Sequence, residues 1–211
     1  MAASKTAICQ RALARLGCTT NVSDIDTDTS QEAKLCRIFY DNAVTNVLEG
    51  FDWPFANRTG EIPIVETGLT GKWASHYAYP SDAVRILSIQ PIDSTLAVTY
   101  PQSFISTQYT SAGSFEIVGG TSNKFIATFY TVALLCTYIK NETNTALFPA
   151  SFEDALVYRM ASELALGLNK SMDISRAMSN AYLTILAVAK ASQKNENNFK
   201  KTPQVITDRF L

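Results

Sequence analysis

The chain of 211 residues is poor in the side chains on which most catalytic and metal centres depend. It has a single histidine, His76, so any Ser–His or Cys–His nucleophile pair would have to be built on that ring. The surrounding string Trp73-Ala-Ser-His-Tyr-Ala-Tyr-Pro80 is aromatic and apolar, which suits a packed or surface-stacked imidazole better than a working base. The four cysteines, Cys9, Cys18, Cys36 and Cys136, form no CxxC pair, and with one histidine they give no zinc site of usual spacing. They are expected as buried, reduced thiols that behave as small hydrophobes. No GxxxxGK[ST] phosphate loop, GxGxxG turn or GxSxG elbow occurs. The sequence therefore assigns no catalytic residue, no metal ligand and no cofactor.

Charge of one sign is lacking too. Lys and Arg number 18 against 19 Asp and Glu, a net charge of -1, whereas a non-specific nucleic-acid binder carries a basic surplus. No basic run exceeds Lys200-Lys201. No apolar run approaches the roughly 18 residues that cross a bilayer, and Met1-Ala-Ala-Ser-Lys-Thr6 is not the start of a secretory signal. The expectation is a soluble protein made in a cytoplasm, with no membrane partner. With 46% hydrophobic and 18% charged residues, it has the composition of an ordered chain with a real core.

Helical and strand patterns alternate in blocks. Residues 3–16 read as a helix, with Ile8, Ala12 and Leu16 at four-residue steps, Arg11 and Arg15 on a wetter face, and Gly17 at the left-handed cap position. A polar loop follows over 18–29. Thr29 and Glu32 then have capping-box spacing before a stripe of Cys36, Tyr40, Ala43 and Val47 that ends at Gly50. Trp53-Pro54-Phe55 makes a stiff aromatic corner, because proline cannot continue a helix. Residues 60–140 alternate β-branched or aromatic with polar side chains. Candidate strands are Glu61–Val65, Ala83–Ile89, Leu96–Tyr100, Ser114–Val118, Phe125–Thr131 and Leu134–Ile139, with Gly119-Gly120 and Ser122-Asn123 as turns. Strands this close in sequence favour antiparallel pairing.

Helical spacing returns after Pro149. Ser151 is the expected cap of a helix with the stripe Leu156, Met160, Leu164 and Leu168, and Asp173 that of a last helix. The apolar face of the last helix reads as Ala177/Met178, Ala181/Tyr182, Ile185 and Val188/Ala189. The chain then turns polar and closes on a segment too short to fold alone. Phe199, Lys200, Lys201, Val205, Ile206, Arg209, Phe210 and Leu211 in that segment are the candidate partner-binding residues.

The fold expected is α+β: a four-helix bundle formed by the N- and C-terminal helix pairs, an inserted antiparallel β module and a C-terminal arm. Residues 1–58 and 141–195 form the bundle, 59–140 the β domain and 196–211 the arm.

Carboxylates need separate weighing, since glycan hydrolysis requires only two. Asp24, Asp26 and Asp28 alternate in the first loop, but a calcium loop needs glycine at its sixth position and glutamate at its twelfth, and neither follows. They read as solvated or helix-entry acids. Glu61, Glu66, Asp82 and Asp93 are scattered through the β region, where Trp73, Tyr77 and Tyr79 could stack on a sugar or fill a core.

Several strings, in order along the chain, resemble the tail tubular protein A family, the head-to-tail adaptors of short-tailed bacteriophages. They are Ile8-Cys-Gln-Arg-Ala-Leu-Ala-Arg-Leu-Gly17, Ile25-Asp26, Glu32-Ala-Lys-Leu-Cys36, Phe39-Tyr40, Val47-Leu48 and Trp53-Pro-Phe-Ala56. Tyr79-Pro-Ser-Asp-Ala-Val-Arg-Ile86, Tyr138-Ile139 and Phe152-x-x-Ala155-Leu156 continue the series. The resemblance spans about residues 3–190, and the C-terminal segment departs from it. It implies a dodecameric ring in the virion, at the head–tail junction. The ring would grip the portal protein on one side, seat the tail nozzle protein on the other, and pass DNA without reading its sequence. On this expectation the chain is no enzyme. The alternative is a virion-associated glycan hydrolase using paired carboxylates of the β region.

Overall fold

The computed structural model describes residues 4–19, 22–69, 71–92 and 115–198, with side chains described to residue 192. The chain divides into two compact units. One contains residues up to Phe51 and from Thr143 onward; the other is Asp52–Glu142.

The first unit holds four helices, α1 (Lys5–Arg15), α2 (Gln31–Gly50), α3 (Ala150–Gly167) and α4 (Met172–Asn198). They are not a four-helix bundle of two terminal pairs, which corrects the sequence expectation. α3 packs against α1, α2 and α4, whereas α1 and α2 meet only through a few side chains such as Lys5 on Tyr40. The cause lies in α3 itself. Phe152, Ala155, Leu156, Val157, Met160, Ala161, Ser162, Leu164 and Ala165 are all buried. These positions surround the helix instead of forming one stripe, and a helix apolar all round has to be enclosed by neighbours. The stripe Leu156–Met160–Leu164 captures only part of that surface.

The helix ends follow local chemistry. Gly17 ends α1 with φ +69, and Cys18 N–H bonds the Leu13 carbonyl at 3.1 Å, the capping arrangement expected. At α2 the cap is Ser30, not Thr29: its hydroxyl accepts from Ala33 N–H at 3.3 Å. α3 starts after Pro149 with no side-chain cap bond, so Ser151 lies inside the helix. At α4 Ser171, not Asp173, accepts from Ile174 N–H at 3.4 Å. Gly50 permits a close approach. A Cβ there would stand 3.0 Å from the Tyr182 hydroxyl and 3.2 Å from Leu186 of α4.

The second unit holds two antiparallel sheets. Sheet A has the order β1 (Asn57–Ile62), β7 (Leu134–Lys140), β4 (Ala83–Pro91). Sheet B has the order β2 (Ile64–Thr67), β3 (Ser75–Ala78), β6 (Lys124–Thr128), β5 (Phe115–Gly119). The single strand expected over Glu61–Val65 is cut at Pro63, which has no N–H for a ladder, and its two parts join different sheets. Tyr77 and Ile126 of sheet B share one core with Ile62, Ile86, Ile89, Leu134 and Cys136 of sheet A. Gly120 N–H to the Asn123 carbonyl (2.7 Å) closes the β5–β6 hairpin where glycine and asparagine announced it. The Trp53-Pro54-Phe55 corner is a short 3-10 turn over Pro54–Ala56, with Trp53 1% exposed. The expected strand Leu96–Tyr100 lies outside the described residues.

Candidate interaction surfaces

The partner-binding candidates Phe199, Lys200, Lys201, Val205, Ile206, Arg209, Phe210 and Leu211 all lie outside the described residues. Of the remaining candidates, all but Asp93 lie among the described residues.

The loop of Asp24, Asp26 and Asp28 is built around a cation of the protein's own. Arg37 Nη1 reaches the carbonyls of Ile25 (2.6 Å), Asp26 (3.2 Å) and Asp28 (3.0 Å). Asp24 accepts from Asp26 N–H and Thr27 hydroxyl, and Asp28 from Ser30 N–H at 2.8 Å. That last bond, at the entry to α2, holds the Asp28 carboxyl below its ordinary range. Val22 and Ile25 are buried and pin the loop from within, and Gln10 Nε2 donates to the Val22 carbonyl at 2.6 Å. The acids thus shape a helix entry, and Arg37 holds the backbone oxygens. Among the described residues, no group of three or more His, Cys, Asp or Glu side chains is placed to hold a metal ion.

In sheet B His76 stacks on Phe125, centroids 5.7 Å apart and planes 7° from parallel, and its Nδ1 lies 3.7 Å from Glu66. Tyr77 is wholly buried and donates its hydroxyl to the Val132 carbonyl (2.7 Å), with the Tyr130 carbonyl also within reach at 3.1 Å. Trp73, 8% exposed, packs on Phe129 at 4.6 Å. Trp73 and Tyr77 therefore fill interior space and offer no sugar platform. Tyr79 is half-buried, with the Lys124 ammonium 5.6 Å from its ring centre.

Glu116 and Lys72 carried no signal in the sequence. Glu116 takes Lys72 Nζ at 2.8 Å and Trp73 Nε1 at 2.9 Å. The Lys72 bond first, then the Trp73 bond, lower its pKa. A general acid needs the opposite shift. Across the strands Glu66 lies opposite His76, His76 opposite Ala127, and Ala127 opposite Glu116. These acids are thus three strand spacings apart, roughly 14 Å along the sheet, against the ~5–10 Å separation of a glycosidase pair. Glu61 belongs to the other sheet, opposite Leu135; Asp82 precedes β4 and lies near Tyr138; Asp93 lies outside the described residues.

The outward-facing apolar surface is more distinctive. On α4, Tyr182, Leu186 and Ala189 are buried while Leu183 (58% exposed), Ala187, Val188 (62%) and Ala191 face out. Ala177 and Val188, expected in the apolar contact, are on the exposed side. Helical spacing puts the four outward residues next to one another. In the second unit, Ile64, Val65 and Ile117 are exposed on the edge strands β2 and β5.

Among the described residues no helix is long and apolar enough to cross a membrane. No protein-family model matches the chain, and no curated protein matches it.

Proposed function

We propose that the chain is a structural adaptor of a phage virion. Copies form a ring, dodecameric by the resemblance, between the portal protein and the tail nozzle protein. The ring is assembled in the host bacterial cytoplasm, does no chemistry, and passes DNA through its channel without sequence-specific contacts.

The observation that carries this reading is the apolar strip Leu183, Ala187, Val188 and Ala191, on the side of α4 turned away from the residues it buries. Apolar area left in water on a long, well-packed helix marks a contact surface. The exposed isoleucines of β2 and β5 add a second surface of different shape on the other unit. A closed ring needs two unlike surfaces per copy, because each copy meets its two neighbours differently. The net charge of -1 suits a conduit, since strong phosphate contacts would hold passing DNA. The ordered resemblance of residues 3–190 to tail tubular protein A supplies the identity of the partners.

The test is co-sedimentation of the purified chain with DNA-filled, portal-bearing phage heads that lack tails. The reading expects saturable binding at one vertex per head. Loss of that binding on deleting residues 199–211, with the thermal transition intact, would place the C-terminal segment in the contact. No binding by the full chain at any concentration rejects the adaptor role.

A further inference from the structure

Sheet B is built of strands that alternate in direction, β2, β3, β6 and β5, so its two edge strands run opposite ways. Among the described residues neither edge has a second strand beside it. One cross-strand row runs the full width of the sheet: Ile64 opposite Tyr77, Tyr77 opposite Ile126, Ile126 opposite Ile117. Residues directly opposite share a face. The two inner members are 0% exposed, while the outer two, Ile64 and Ile117, are 41% and 42% exposed. The row is a core layer with both ends open.

We propose that β5 of one copy pairs antiparallel with β2 of the next, so that sheet B continues from subunit to subunit with Ile117 lying against the neighbour's Ile64. This inference rests on the ring reading and deepens it by naming a contact between copies. The edge polarity fits: an even number of antiparallel strands leaves opposite-running edges. A copy related by rotation about an axis along the strands therefore presents β2 antiparallel to β5. The side chains fit as well, because the two isoleucines lie on the same face and in the same row, and pairing closes the layer on both.

The edge is also one that does not pair freely. β2 is four residues long, follows Pro63, has an irregular register between Ile64 and Glu66, and carries Glu66. Each feature weakens edge pairing. The neighbouring row has Glu66 at one end and Glu116 at the other, so pairing brings two acids near each other. Lys72, in contact with Glu116, tempers that repulsion without removing it. The chain is accordingly a monomer when free. It pairs when copies are held side by side on a template, where effective concentration reaches the millimolar range.

The experiment uses the full chain with Cys18→Ser, because Cys18 is half-exposed whereas Cys9, Cys36 and Cys136 are buried. Ile64→Cys and Ile117→Cys are added together, the protein is bound to portal-bearing heads and treated with diamide, and the product is run on a denaturing gel without reductant. The expected result is a ladder of multiples of the chain mass, lost with either cysteine alone and collapsed by thiol. Ile64→Lys and Ile117→Lys, with unchanged melting of the free chain, are expected to lower head occupancy at least tenfold. Wild-type occupancy for both lysine variants together with no ladder overturns the strand pairing and leaves the adaptor reading standing. A dimer band from Ile64→Cys alone means β2 meets β2, which overturns the head-to-tail arrangement. Failure of the unsubstituted chain to bind heads overturns both.

Discussion

Arg11 of α1 forks across the first turn of α3, with Nη1 3.2 Å from Glu153 and Nη2 on Asp154. α1 packs most extensively on α3, and this fork is a polar part of that contact. Arg11 is 40% exposed, so screening discounts the pair, while Glu153 at 12% is better shielded. Arg11→Ala is expected to cost about 1 kcal/mol. A double-mutant cycle with Glu153→Gln, followed by urea unfolding, measures the coupling. Strictly additive changes would show that the fork contributes nothing.

Arg37 organises the loop before α2 through three carbonyls gathered around Nη1, at the end of a side chain one bond longer than lysine's. Arg37→Met leaves those oxygens without their donor and is expected to cost roughly 1–3 kcal/mol. Arg37→Lys is expected to recover less than half of that. Thermal melts check both. Calcium titration of the unsubstituted chain by calorimetry is expected to give no heat of binding at this loop.

Trp53 is 1% exposed at the corner where the second unit begins, and its ring centroid lies 6.3 Å from that of Phe55. Trp53→Ala is expected to destabilise by about 3–5 kcal/mol, the usual cost of emptying a buried indole site. An unchanged unfolding midpoint would contradict its structural role.

Two groups of the second unit give its stability a pH dependence of opposite sign. Burial pushes Tyr77 from the ordinary phenol value of 10 up to about 12. A proton held more tightly when folded gives stability that is complete below pH 10 and is lost as pH rises through about 12. Tyr77→Phe is expected to flatten that alkaline loss, read as unfolding free energy between pH 9 and 12. Glu116 behaves in the opposite sense. Its folded pKa lies below the ordinary 4.5, so its contribution is present above that value and disappears as pH falls through the depressed one. The gap in stability between the unsubstituted chain and Glu116→Gln is expected to be widest near neutrality and to close in acid.

Local structure is legible in the sequence where a few adjacent residues decide the outcome. Gly17 at a left-handed cap, the Gly119-Gly120 to Asn123 turn, and the start of a helix just beyond Pro149 are of this kind. What depends on distant packing was not legible. The stripe Leu156–Met160–Leu164 promised one contact face on α3, and the helix instead buries most of its circumference, which makes it a hub and not one member of a pair. Strand β3 escaped notice because its wholly buried members are Ser75 and Tyr77, so polar and apolar residues do not alternate. Pro63 lay in plain view inside a run read as one strand; its missing donor sends the halves to separate sheets. The Glu116–Lys72–Trp73 cluster joins residues 43 and 44 positions apart, a pairing that only the fold brings about.

We propose that this chain contacts its neighbours at the junction of head and tail. Electron cryomicroscopy of portal-bearing heads incubated with the purified chain tests it most directly. The expected result is an added ring of density on the portal vertex, rotationally symmetric, with an open channel and a subunit that accommodates both the helical and the β unit. Vertices left bare at saturating protein, with the chain remaining monomeric beside them, would contradict it.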